Sequence, residues 1–178
     1  PAVSSVSVPA NTTYAIGQHL DFTVNFNETV VVTGLPSIPV TLDTGGTVNA
    51  TYFSGSNSSD LVFRYTIANG NTDTNGITLG TSIAANGGNI TDAAGNSATL
   101  TLNSVGSSSG IFVDGIAPSV VSIDRVSSTP TNANTVDFQV TFSENLANGV
   151  VNLADFSLVS TGATSGSIAA LFGSNNIW

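Results

Sequence analysis

The 178-residue chain has no cysteine and no lysine, two arginines (Arg64 and Arg125) and a single histidine, His19. Each shortage excludes some chemistry. Without cysteine there is no thiol nucleophile, no disulfide switch and no zinc–thiolate site. The compartment stays open on this point, because a sandwich with a full core needs no disulfide. Without clustered Lys and Arg there is no surface to displace counterions from phosphate, which argues against nucleic acid and against docking on anionic lipid. Without lysine there is no Schiff-base chemistry. A serine triad would have to use His19, which stands at the entry to a strand with no G-x-S-x-G elbow in the chain. The acids are spread over turns, and no cluster of tryptophans accompanies them to bind sugar rings, so paired-carboxylate glycoside hydrolysis has no support. No enzyme activity is expected. No stretch is long and apolar enough to span a membrane, and no signal peptide is recognisable, so membrane insertion is not expected either.

What is present is acidic and uncharged polar. Eleven Asp and Glu bring the formal net charge to −9, yet charged residues make up only 7 % of the chain, against about a quarter in an ordinary domain. Thr, Ser, Asn and Gly fill the surface instead. Hydrophobic residues reach 40 %, enough for a core. An acidic surface of this kind suits divalent cations and also keeps a chain soluble.

The apolar residues recur with period two. In "HLDFTVNFNE" Leu20, Phe22, Val24 and Phe26 alternate with polar neighbours, and in "DLVFRYTI" Leu61, Phe63, Tyr65 and Ile67 do the same. "SIPVTL", "TVNATYF" and "ATLTLN" repeat the pattern. Such alternation marks half-buried antiparallel strands, and the Gly, Asn, Ser and Thr clusters between them point to an all-β sandwich. The expected strands are 3–8, 19–27, 29–42 (interrupted at Gly34 and Pro36), 47–53, 59–67, about 77–84, and 98–103 running on to 113. No long helix is expected; "LANGVVNLADF" offers a single turn at Leu153, Ala154 and Asp155. Arg64, on the polar face of its strand, is expected to pair with a neighbouring carboxylate.

The chain also repeats itself. "HLDFTVNFNETV" (19–30) matches "TVDFQVTFSENL" (135–146), and "PAVSSVSV" at Pro1 matches "PSVVSIDR" at Pro118. The spacing is 116 residues from Glu28 to Glu144 and 117 from Pro1 to Pro118, the size of one sandwich domain. The expected organisation is a complete repeat at 1–117, a join at "VDGIAP", and the N-terminal half of a second repeat at 118–178. The repeat phase makes the chain read as part of a longer array, and half a sandwich leaves strand edges and one face uncovered.

One loop has the look of an ion site. In "NGNTDTNGI" (69–77), Asn71-x-Asp73-x-Asn75-Gly76 meets the first part of the D-x-[DN]-x-[DN]-G calcium pattern, but Ser82 stands where a closing glutamate belongs. The same letters make an ordinary polar turn. Alternating strand direction brings this loop to the end where the last strand of the repeat exits, near Asp114, and the turn carrying Glu144 faces back toward the same join. Asp73, Asp114 and Glu144, with Asn71 and Asn75, are therefore candidate calcium ligands. Glu28 and Asp92 occupy the corresponding end toward a preceding domain, although "TDAAGN" also reads as a plain hairpin turn.

Taken together, "DFTVNFNETVVVTGLPSIPVTLDTGG", "LVFRYTIANGNTDTNGI", "GGNITDAAGN" and "VDGIAPSVVSI" resemble the bacterial immunoglobulin-like repeats of large surface adhesins and biofilm-associated proteins. "TPTNANTVDFQVTFSE" and "ADFSLVS" resemble a sister repeat type that alternates with the first. The resemblance implies tandem immunoglobulin-like antiparallel β-sandwiches, the second incomplete, in an extracellular stalk on a bacterial cell surface, stiffened by structural calcium. Its partners would be neighbouring repeats of the same polypeptide. Two other readings stand beside the spacer. One is a filament subunit completed by strand donation from a neighbour through open edges. The other is a glycan- or surface-binding module, weakened by the scarcity of exposed aromatics.

Overall fold

A computed structural model describes residues 1–129, 132–147, 149–159, 161 and 165–178. The chain forms two compact units, Pro1–Ala117 and Pro118–Trp178. Both are built from strands. Among the described residues there is no α-helix, and the one helical element is the 3₁₀ turn Leu153–Asp155. Asn152 caps that turn: its side chain accepts from the Ala154 N–H, while the Asp155 carboxylate accepts from the Asn152 N–H. The capping box holds a single turn that propensity alone would not.

In the first unit the strands are β1 (Val3–Ser7), β2 (Thr13–Ala15), β3 (His19–Thr33), β4 (Ser37–Thr41), β5 (Thr47–Ser54), β6 (Ser58–Thr66), β7 (Thr72–Asp73), β8 (Thr78–Leu79), β9 (Asn89–Thr91) and β10 (Phe112–Asp114). The main sheet runs β1-β3-β6-β5-β4-β8, all antiparallel, with β9 on the far half of β3. A smaller sheet runs β2-β10-β7. The period-two pattern decides which face is inside. Along β3, Leu20, Phe22, Val24 and Phe26 are buried, and across the ladder they meet Leu61 and Phe63 of β6. Inward residues of β1 and β4, the segment around β8 and the 98–113 stretch close the same core. Each buried Leu, Phe or Ile contributes about 1.5–3 kcal/mol, so this shared face is the main source of stability.

Two expectations change. The break anticipated after residue 27 is absent: β3 runs through Glu28 because no Gly or Pro interrupts 19–33. It bends instead, with a register shift between Asn25 and Val30, and its far half changes partner to β9. The strands expected over 77–84 and 98–113 shrink to β8, β10 and isolated bridges. Ile77, Ile83, Leu102, Ile111 and Val113 still point inward, but Gly80, Gly106 and Gly110 and the serine run 107–109 prevent a continuous ladder.

A feature not read from the sequence concerns the ends of this unit. β2 pairs with β10 in parallel, Tyr14 opposite Val113. Ala2 and Val6 also make parallel bridges to Thr99 and Val105. Backbone bonds from Thr99 N to the Pro1 carbonyl (2.9 Å), Gly106 N to the Val6 carbonyl (2.9 Å) and Phe112 N to the Thr12 carbonyl (3.0 Å) join the first fifteen residues to the last stretch.

The second unit contains β11 (Val120–Arg125) and β12 (Phe138–Phe142), paired antiparallel. Its register repeats that of β1 and β3. Val3↔Phe26, Ser5↔Asn25 and Val6↔Val24 become Val120↔Phe142, Ser122↔Thr141 and Ile123↔Val140, with the same irregularity after the first pair. The closing contacts recur too. Asn27 Oδ1 accepts from the Ala2 N–H as Ser143 Oγ accepts from the Ser119 N–H, and the backbone bond beside each is kept.

Candidate functional site

A densely hydrogen-bonded polar cluster lies where the β4–β5 turn meets the 69–76 loop. Asp43 enters this turn directly after the buried Leu42, and Gly45 and Gly46 take positive φ to close it. Gly45 has a second reason to lack a side chain, since a Cβ there would run into the Asn71 amide. The loop is held to the turn by Asp43, whose Oδ2 accepts from the Thr74 N–H (2.9 Å) and hydroxyl (3.1 Å) and whose Oδ1 accepts from Asn75 Nδ2 (2.7 Å). These donors, led by the Thr74 N–H, hold the Asp43 carboxyl below its ordinary value. Asp73 answers from the other side. It is only 3 % exposed; its Oδ1 accepts from the Gly76 N–H (2.7 Å) and its Oδ2 from the Asp43 N–H (3.3 Å).

The structure places the expected ligand residues as follows. Asn71 is buried, and its side-chain oxygen accepts from the Tyr65 hydroxyl and the Ala68 N–H. Asp73 and Asp114 lie on adjacent strands, Asp73 opposite Val113 and Asp114 opposite Thr72, bordering a shallow open depression. Asp114 Oδ1 accepts from the Ile116 N–H. Asn75 is exposed and donates to Asp43. Asp92 forms the tight turn of "DAAGN", accepting from the Ala94 and Asn96 N–H groups and from Asn96 Nδ2. The Asn96 side chain and N–H lead the lowering of its pKa. Glu28 Oε1 is 2.9 Å from the Pro1 ammonium. In the second unit Glu144 takes the place of Glu28 and Pro118 that of Pro1. Glu144 Oε1 is buried without a hydrogen-bond partner among the described residues.

Calcium would need several oxygens free to turn toward one point. In the 69–76 loop the three candidates are engaged separately. Asn71, Asp73 and Asn75 point to three different sets of internal partners, and both Asp73 oxygens already accept backbone N–H groups. Among the described residues no three His, Asp or Glu side chains group closely enough to hold a metal ion. Glu144 keeps a buried oxygen without a donor among the described residues, and one carboxylate is not a ligand set.

His19 is exposed and bonds Thr66 through Nδ1 at 3.0 Å. Arg64 forms a two-pronged pair with Asp21, Nε to Oδ1 at 2.7 Å and Nη2 to Oδ2 at 2.6 Å, and its guanidinium stacks over Phe53 at 3.9 Å. That bond to Arg64 holds the Asp21 carboxyl below its ordinary value. The alternation marks Arg64 as outward; its partner follows from register, since Asp21 stands opposite it. Asp43 escapes sequence reasoning. "LDTGGT" gives a turn signal, but Thr74 and Asn75 are more than thirty residues away in sequence. Comparison with known protein families, with curated proteins and with solved structures finds no match.

Proposed function

We propose that the chain is a mechanical spacer: tandem immunoglobulin-like sandwiches of an extracellular bacterial stalk, transmitting tension along the array. The observation that carries this reading is the parallel pairing between the two ends of the first unit. When neighbouring strands are parallel, tension applied at the start of one and the end of the other pulls them past each other. All the bonds between them are then loaded together. In an antiparallel hairpin pulled from its open end they break one by one. The N-terminal fifteen residues and the 99–114 stretch are joined in the first way. The repeated β1–β3 register in β11–β12 supports a tandem build.

This spacer acts through strength rather than through bond-making chemistry, and it does not require the 69–76 loop to hold calcium. Single-molecule stretching between residues 1 and 117 tests it. The expected record is one abrupt high-force event releasing roughly 400 Å of chain, from 117 residues at about 3.4 Å each. Gradual extension at low force would overturn the reading.

A further inference from the structure

We propose that Asn69 is a self-modifying site: its side-chain amide is lost to the backbone nitrogen of Gly70, forming a cyclic imide that water opens to aspartate or isoaspartate. Such a site is independent of the spacer role.

Asparagine followed by glycine is the pair in which this reaction is least hindered, because glycine has no Cβ to keep its nitrogen from the preceding side chain. The chain has such pairs at Asn69, Asn75, Asn86 and Asn148; Asn148 lies outside the described residues. The other three differ in what holds them. At Asn75 both reacting groups are tied to carboxylates: Nδ2 donates to Asp43 Oδ1 and the Gly76 N–H to Asp73 Oδ1, each at 2.7 Å. At Asn86 the side chain is pinned by two bonds, from Nδ2 to the Leu35 carbonyl (3.1 Å) and to Ser37 Oγ (2.9 Å). Asn69 is exposed, and its side chain has no hydrogen-bond partner among the described residues.

What restrains this pair is the bond on its nucleophile. Asn69 and Gly70 are the central residues of a tight turn closed by the Asn71 N–H on the Ala68 carbonyl (3.2 Å), with Gly70 at φ 86°. The Gly70 N–H donates to the Gly115 carbonyl (2.9 Å), and the Gly115 N–H donates to the Asn71 carbonyl (2.7 Å). Gly115 directly follows β10, so these two bonds clip the exit of that strand to the turn. Neutral bonds at a turn and a strand end open more readily than bonds to a buried carboxylate. Opening here also finds the Asn69 side chain already free to rotate. The Gly70 nitrogen then attacks Asn69 Cγ. A new C–N bond forms, the bond to Nδ2 breaks, and Nδ2 departs as ammonia with the Gly70 proton. Water adds to either carbonyl of the imide. Opening at one gives aspartate; opening at the other gives isoaspartate, which routes the main chain through the former side chain and lengthens the turn. The imide has no Gly70 N–H, and isoaspartate moves that N–H away from Gly115. Modification and the clip therefore exclude each other, and the reaction leaves the exit of β10 permanently loosened.

The test incubates the whole 178-residue chain at mildly alkaline pH and follows each asparagine by peptide mass spectrometry, with fragmentation that separates isoaspartate from aspartate. Asn69 is expected to convert ahead of Asn75 and Asn86, with isoaspartate among the products. Gly115→Ala tests the gate, because a Cβ there would run into the carbonyl oxygens of Ala68 and Asn71 and keep the clip from closing fully. This variant is expected to speed conversion of Asn69 by at least about threefold, the gain in open population when a backbone hydrogen bond is weakened. Asn75 and Asn86 should keep their native rates. Conversion of Asn75 or Asn86 as fast as Asn69 in the unaltered chain would overturn the proposal. So would an Asn69 rate that Gly115→Ala leaves unchanged. If the substitution unfolds the unit, all three pairs speed up alike, and the ranking in the unaltered chain decides.

Discussion

At the scale of single residues, two carboxylates, Asp43 and Asp73, hold the 69–76 loop to the β4–β5 turn. Asp73 is buried and supplies acceptors for the Gly76 and Asp43 N–H groups. Asp73→Ala leaves two N–H groups facing a void. Hydrogen bonds to a charged acceptor contribute about 1.5–3 kcal/mol each, less any compensation by water. The expected loss is about 2 kcal/mol, or roughly 10 °C in melting temperature for a unit of this size, read by calorimetry. Acid offers a second test. Asp21, Asp43 and Asp92 are all held below their ordinary values, by Arg64, by Thr74 and Asn75, and by Asn96 and Ala94 respectively. A carboxyl with a lowered folded value stabilises fully above its unfolded value, about 3.9. That contribution is lost as the pH falls through the lower folded value. Stability is therefore expected to be level from neutral down to about pH 5 and to fall below about pH 4. Asp21→Asn should flatten that fall in a pH series of melting temperatures, because it removes one of the three groups that respond.

At the scale of elements, the long strands were legible and the short ones were not. β3 carries Leu20, Phe22, Val24 and Phe26 at alternate positions, and β6 carries Leu61, Phe63 and Tyr65. A run of that length and period is the signature of a strand with one buried face. β2, β7, β9 and β10 have two or three residues each, too few to show a period. They form because neighbouring backbone is brought beside them, which is information from the tertiary fold rather than from local sequence. The same limit applies to the polar cluster. Asn71, Asp73 and Asn75 were visible as a turn with oxygen-bearing side chains; that Asp43 would accept from Thr74 and Asn75 and donate to Asp73 was not, because β5 and β6 lie between the two loops in sequence and only the fold brings them together. This bears on calcium. An ion in the 69–76 loop would have to draw Asn71, Asp73 and Asn75 from separate partners onto one point. The full chain is therefore expected to melt at the same temperature in millimolar calcium and in chelator. A calcium-dependent rise that is abolished by Asp73→Asn would show that the loop rearranges around an ion.

At the scale of the whole molecule, the arrangement of the first unit's ends makes strength depend on direction. The bonds joining residues 1–15 to 99–114 lie between the two strands that Pro1 and Ala117 would pull, so tension through those ends shears them together. Thr47 and Thr66 instead mark the open end of the antiparallel β5–β6 pair. Tension between those two would peel β5 from β6 one rung at a time, with each rung carrying the whole load in turn. The chain has no cysteine, so a pair of introduced cysteines gives unique handles for either geometry. Both threonines are exposed, and their replacement leaves the core untouched. Stretching through handles at 47 and 66 is expected to open the unit at a clearly lower force than stretching through 1 and 117, with unchanged melting temperature. Equal forces in the two directions would mean that resistance comes from burial of the common core, which has no direction, and not from the parallel pairing of the ends.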